Sequence, residues 1–292
     1  MNPRRRRVLH GVAAIAALAR WADAACAQSS TAVRMPSIFV GHGSPMNVLA
    51  DNAFTRQLRI WGVSLPRPTA ILSVSAHWLT RGVTAVGSQL RPDTIHDFDG
   101  FPPSLYETRY PAVGAPTLAH EAIGLVHRTP VRTTQEWGLD HGTWTVLYHL
   151  FPKADVPVFQ MSIDYDRVGA WHYAIGRELA ALRERGVLVM GSGNIVHNLR
   201  ATEPDVREAT SSTRTWARSF DDAVAKALDA HDHDALIAYG SLDSGAPLAV
   251  PTPDHYWPLL YALGAARDEK PRTVFAGFHA GTISMRCVQF GA

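Results

Sequence analysis

Fourteen histidines occur among the 292 residues, and five of them share a setting suited to chemistry. His42 lies in Gly41-His42-Gly43-Ser44-Pro45, directly after the apolar run Ser37–Val40. His77 follows Ala70–Ala76 in the same way. His141 stands in Asp140-His141-Gly142, His197 follows Gly191-Ser192-Gly193-Asn194, and His255 sits in Pro253-Asp254-His255. Each comes after a strand, a glycine-rich break or a proline turn, and none interrupts a helical pattern. Imidazole is the commonest metal ligand and carries protons near neutral pH. Breaks after the strands of a parallel sheet converge on one edge, so five such rings could share a cleft. For any one of them alone, a packed turn histidine is the simpler reading.

The other histidines lack that setting. His10 precedes the main domain, and His120 and His127 fit a solvated helix face. His149 and His172 fall within helical runs. His231 and His233 read as an exposed helix end, and His279 is followed by the turn Ala280-Gly281.

The elements that must position the five alternate between strand-like and helix-like, as an α/β domain requires. Strands are expected at Ser37–Val40, Ala70–Ala76, Gly82–Gly87 (an outer strand), Val156–Ile163 and Val187–Gly191, with Thr273–Phe278 and Ile283–Phe290 closing the sheet. Helices are expected at Asn52–Trp61, at Pro116–Val126, after the Gly-broken turn Glu136–Trp144 and through Leu150, at Arg167–Arg185 capped by Gly186, at Asp205–His231, and after Pro251–Trp257 to about Gly264. Arg91–Gly114, rich in proline, aspartate and aromatics, reads as a long irregular loop of the kind that covers a site. The expected fold is one α/β domain, residues 35–292. Its central, mostly parallel mixed sheet is flanked by helices, with a metal site at the carboxyl ends of the strands.

Composition narrows the function classes. Hydrophobic residues at 46% and charged residues at 18% describe a globular chain with a substantial core. Residues 1–27 read as an export signal: a basic head at Arg4–Arg7, an apolar run Val12–Leu18, and Ala25-Cys26-Ala27 as the cut site. Arg5-Arg6 gives it a twin-arginine character, which makes the expected location periplasmic; a mis-assigned start codon on a cytoplasmic protein is the alternative. The apolar run is too short to span a bilayer, so no membrane association is expected once the signal is removed. Residues 28–34 would remain as a short remnant. The leader holds five arginines and one aspartate, and removing it leaves 23 basic and 25 acidic residues, so the net charge moves from +2 to −2. That excludes a basic patch for nucleic acid. Cys26 and Cys287 are the two cysteines, which leaves no disulfide framework and no thiolate cluster in a mature chain. A metal would therefore rest on nitrogen and oxygen, which suits zinc or non-haem iron.

With these residues in view the sequence resembles the class III extradiol ring-cleavage dioxygenases, in particular the 4,5-DOPA dioxygenase-like branch. The resemblance spans Met35–Ala292. It is carried by Gly41-His42-Gly43-Ser44-Pro45-Met46, Ser75-Ala76-His77-Trp78, His96-Asp97-Phe98 with Gly100-Phe101-Pro102, Asp140-His141-Gly142, Gly191-Ser192-Gly193 with His197-Asn198-Leu199, and Pro253-Asp254-His255-Tyr256.

The resemblance implies an oxidoreductase that inserts O₂ into a catechol, a DOPA-like ring. Its metal would be Fe(II), held by His42, His77 and His255, with His197 as an additional ligand in some relatives. His255 stands where the wider superfamily has a carboxylate, and Asp254 beside it is a substitute. Three imidazoles also suit Zn(II), so zinc remains open as the bound metal. Of the two catalytic histidines, His197 would be the acid–base and His141 would hold a substrate hydroxyl or an oxygen-derived intermediate, while His96, Phe98 and Phe101 would bind substrate. One alternative is a zinc hydrolase that activates water at the same histidines. A second is a metal carrier, for which His231-Asp232-His233 is too little. A serine hydrolase lacks its Gly-x-Ser-x-Gly turn at Ser192. Nothing in the sequence fixes the catechol, the ring bond or the oligomeric state.

The leader reading has a direct test. Residues 1–34 fused to a reporter exported only when folded should reach the periplasm, and lysines at Arg5 and Arg6 should stop export; export that survives both changes removes the twin-arginine assignment.

Overall fold

The computed structural model describes residues 34–202 and 213–292. The leader and its remnant, apart from Arg34, lie outside the described residues, as does the start of the helix expected at Asp205–His231.

Eight strands form one mixed sheet in the order β4-β3-β5-β2-β6-β1-β10-β7. They are β1 (Ser37–Gly41), β2 (Ala70–Thr80), β3 (Thr84–Gly87), β4 (Val131–Thr134), β5 (Val158–Asp164), β6 (Val187–Gly193), β7 (Pro271–Phe275) and β10 (Cys287–Phe290). The central run β5-β2-β6-β1 is parallel throughout. Strand β10 joins β1 and β7 antiparallel, and β3 runs antiparallel to β5. Strands β8 (Phe278–His279) and β9 (Ile283–Ser284) form a separate two-stranded ribbon.

Both faces of the centre are covered, which explains the continuous apolar runs. Phe39, Leu72, Val74, Phe159 and Met161 pack into one core with helices Gly169–Leu179, Thr215–Asp229 and Trp257–Ala266. Their chain neighbours Ile38, Val40, Ile71, Val158, Leu188 and Met190 enter the other, against helices Ala53–Ser64 and His141–Leu150. That alternation is the period of two of a strand. Helix Trp257–Ala266 is buried along its whole length and is apolar on every side. Helix Ala53–Ser64 starts at Asn52, whose side chain accepts from the Thr55 amide while Thr55 answers to the Asn52 amide. No helix of the described residues is long and apolar enough to cross a membrane.

Four expectations change in detail. Strand β3 lies inside the sheet, and the edge beyond it is β4, a short half-exposed Val-Arg-Thr-Thr segment with no apolar run to announce it. Strand β2 runs past Ala76 to Thr80, so His77 lies within it. The expected helix Arg167–Arg185 is α-helical over Gly169–Leu179 and 3₁₀ over Ala180–Arg185, and Gly186 closes it at φ 77°. At the carboxyl end only β7 and β10 join the large sheet; β8 and β9 turn away beside Ala280 and Gly281, both at positive φ.

His172 tests how tightly this core is closed. Its Nδ1 lies 3.0 Å from the Tyr261 hydroxyl, with its ring against Trp257. Burial pushes the imidazole down to about 3, against about 6.5 in an unfolded chain. Between those values the unfolded chain binds a proton that the folded chain refuses. Stability therefore falls as pH drops below about 6.5, and the loss grows until about 3. At about pH 5 it amounts to about 2 kcal/mol. His172→Gln is expected to flatten the fall in urea midpoint between about pH 7.5 and 5, and an unchanged slope would contradict this.

Candidate metal centre

The parallel strands β1, β2 and β6 end on one edge of the sheet, and that edge carries the cluster. His42 follows β1 directly, where Gly43 turns the chain at φ 62°. His77 is placed by an irregularity in β2. Val74 pairs with Met161 and Leu79 with Ile163, so five steps along β2 match two along β5. The extra residues bulge outward and carry His77 toward the edge. His141 opens helix His141–Leu150, which is capped by Asp140. His197 follows β6 and bridges Ile283 of β9. His255 is held where the Asn194 amide donates to its carbonyl, at 2.8 Å.

All five rings line one cavity of about 410 Å³. The Nε2 atoms of His42 and His77 are 3.2 Å apart. His42, His77 and His141 each offer a ligand nitrogen, all within 4.8 Å of one another. The His255 ring centre is 5.4 Å from that of His42 and 5.1 Å from that of His77. His197 lies flat on His255 with ring centres 3.5 Å apart. Thus the tight triad includes His141, while His255, the third ligand that the resemblance implies, stands just beyond it.

Hydrogen-bond partners decide which ring nitrogen faces inward. The Asp97 carboxylate can only accept, so His141 Nδ1 donates to it at 3.0 Å. His77 Nδ1 faces the same Asp97 oxygen at 3.5 Å. Ser192 gives its proton to the Gly142 carbonyl and so accepts from His42 Nδ1, at 3.0 Å. Asp254 accepts from His255 Nδ1, which leaves His255 Nε2 buried without a hydrogen-bond partner among the described residues. Asp254 is thereby a partner to the ring and not a free donor to an ion. The Nε2 side of each ring is turned to the cavity, the arrangement that second-sphere carboxylates give to metal-bound histidines.

Charge points the same way. Burial, reinforced by the neighbouring histidines, pushes His42 and His77 well below the usual histidine range. The same causes, burial first and then His255, bring His197 down to about 3. Burial would raise the Asp254 carboxyl, but the hydrogen bond from His255 and its charge hold it at about 2. Burial thus disfavours the charged form of both rings, and their Nε2 atoms lie 3.2 Å apart, with the tautomer deciding which of the two could donate. A cation fits, because two imidazoles bound at about 2.1 Å to one ion come about this close.

The aromatic expectations divide. Phe98 and Phe101 line the cavity. His96 is not among the lining residues: its Nε2 lies 3.0 Å from the Thr108 carbonyl, and its ring packs on Phe98 and Trp144. The sequence reading passed over His279, which forms part of the cavity wall. Its pairing with Ile283, itself paired with His197, puts the three side chains on one face of the ribbon. The sequence signal was present as a histidine at a strand end, but the following turn hid it. Asp97 and Ser192 were visible only as motif letters, because their roles depend on partners 20 to 150 residues away.

Gly142 shows how closely the helix approaches. A Cβ there would lie 2.5 Å from Ser75 Oγ, 2.9 Å from the His77 ring and 3.3 Å from His42 Nδ1. Gly142→Ala should therefore weaken metal retention by at least tenfold, and His42→Ala or His77→Ala should abolish it. Metal analysis after dialysis checks this, and full occupancy in all three variants would remove the site.

Comparison with known proteins gives the family. Residues 35–288 match the family described as the catalytic LigB subunit of aromatic ring-opening dioxygenase. A protein of Escherichia coli K12 named 4,5-DOPA dioxygenase extradiol is 48% identical over 267 residues, 89% of this chain and 96% of that one. One of the same name from Beta vulgaris is 34% identical, covering 87% of this chain and 96% of its own length. The crystal structure of an uncharacterized Escherichia coli K12 protein superposes with a TM-score of 0.77 at 43% identity, over 88% of this chain and all of that one. This chain belongs to the LigB family of class III extradiol dioxygenases.

Proposed function

We propose that the chain is a metal-dependent extradiol dioxygenase that opens the ring of a catechol, with Fe(II) as its working metal and a DOPA-like compound as substrate. The observation that carries this reading is the convergence of five histidines on one aromatic-walled cavity, with Nδ1 of His42, His77, His141 and His255 turned to outer partners. The substrate class is supported by relatives whose names specify DOPA.

His42 and His77 are assigned as ligands, and His255 as the third because its buried Nε2 has no other partner. Iron(II) held there would offer open positions at which a catechol and O₂ can meet, the catechol itself being the reductant. The protein supplies the rest. His197, which lines the cavity with its ring stacked on His255, can take the proton that a catechol hydroxyl gives up on binding, then return it to the opening ring. His141, fixed through Nδ1 by Asp97, presents its other nitrogen to a substrate oxygen. Phe98 and Phe101 cover the ring and keep water from the reacting atoms. Zinc suits the same nitrogen donors, and since both nearby carboxylates are engaged by ring nitrogens, a zinc hydrolase is the reading to test against.

Anaerobic loading with Fe(II), then air and DOPA or another catechol, should give O₂ uptake and a yellow semialdehyde, with the Zn(II) form inactive. Absence of O₂ uptake across catechols, with ester or amide hydrolysis by the zinc form, would replace the dioxygenase by the hydrolase. His197→Ala should keep its metal and lose at least a hundredfold in turnover. An empty site in that variant would make His197 a ligand.

A further inference from the structure

We propose that Asp97 is a positioning residue that fastens the aromatic wall of the cavity to the histidine cluster, so that metal binding and closure of residues 97–102 are linked. One carboxylate makes three approaches. Oδ1 accepts from the His141 amide at 2.8 Å, and Oδ2 accepts from His141 Nδ1 at 3.0 Å while facing His77 Nδ1 at 3.5 Å.

The attachments on either side are unequal. Before Asp97 the loop is pinned independently of the cluster: Ile95 and Leu139 are joined through backbone, Leu139 donates to Asp93, and the Trp144 indole donates to the Ile95 carbonyl at 2.9 Å. After it, the hydrogen bonds of residues 98–102 stay within the loop: Gly100 to Asp99, Phe101 to the Tyr106 hydroxyl, and Leu105 to Pro102. Among the described residues, the Asp97 carboxylate is thus the hydrogen-bonded tie between segment 97–102 and the body of the domain. Phe98 and Phe101, which wall the cavity, ride on that segment.

The linkage follows from the shared rings. A histidine that binds a cation through Nε2 becomes a stronger donor at Nδ1, and a carboxylate there raises ligand basicity in return. His77, assigned as a ligand, turns Nδ1 toward the Asp97 oxygen that also accepts from His141 Nδ1, so an ion on His77 Nε2 draws Asp97 to the cluster and tightens the tie that holds Phe98 and Phe101. By reciprocity, a seated segment strengthens metal binding. This rests on the metal site and not on catechol chemistry, so it stands or falls separately from the dioxygenase reading.

Hydrogen exchange of the Phe98–Phe101 peptide, with and without saturating Zn(II), tests it. In the wild-type chain zinc should slow exchange there at least several-fold. Asp97→Asn keeps the shape but cannot accept from both the amide and the ring; it should bind zinc roughly 10–100-fold more weakly and lose the protection even when saturated. Its metal-free melting temperature and exchange in helix Trp257–Ala266 should stay unchanged. Asp97→Glu, which retains the carboxylate, should recover part of the protection. Equal zinc protection in Asp97→Asn, or exchange in the wild-type chain that ignores zinc, would overturn the proposal.

Discussion

Two imidazole nitrogens facing each other across 3.2 Å set the terms for their surroundings. Burial disfavours a positive charge on either ring, which leaves them free to share one N–H or to bind one cation. The fold brings them together, because His42 is tied to the end of β1 and His77 to the bulge of β2. Packing at the sheet edge thus builds a nitrogen pair that a single cation can bridge. The other three histidines, the carboxylates and the aromatic wall are arranged around that pair.

Support for the pair comes from buried polar groups that would be costly if left unpaired. Asp140 is fully buried, and its carboxylate accepts from Thr143, Ser75, Gln160 and Trp137. It therefore caps the helix that begins with His141 and grips the strand that carries His77. Burial and the nearby Asp97 raise the Asp140 carboxyl, and these donors counter the rise. On the other flank, Asp221 accepts from Arg286 and Ser284, bracing the segment that leads from the β8–β9 ribbon into β10. Both networks lie outside the cavity and fix the walls from behind.

Much of this was legible in the sequence because the central strands are covered on both faces and read as unbroken apolar runs. β1 and β6 appear nearly at their observed limits, and the histidines after them follow from strand polarity. The edge strand β4 was not legible, since an exposed edge needs no apolar pattern. The position of His77 inside β2 was hidden as well, because a bulge is a matter of register with β5 and leaves no mark in β2 alone. His96 illustrates the opposite error: it shares a motif with Phe98, yet its neighbour enters the cavity while it bonds to the loop backbone. His141 joins the tight triad through the approach of a helix, which residue spacing does not encode. The family resemblance supplied the reaction class, and the geometry supplied the partners that orient each ring.

Whether these histidines hold the metal can be read by X-ray absorption at the iron edge of the anaerobically Fe(II)-loaded protein, without relying on turnover. A centre built from them should show nitrogen and oxygen nearest the iron, with the outer scattering of at least three imidazoles. A spectrum fitted by one imidazole or none, or by a sulfur ligand, would contradict it.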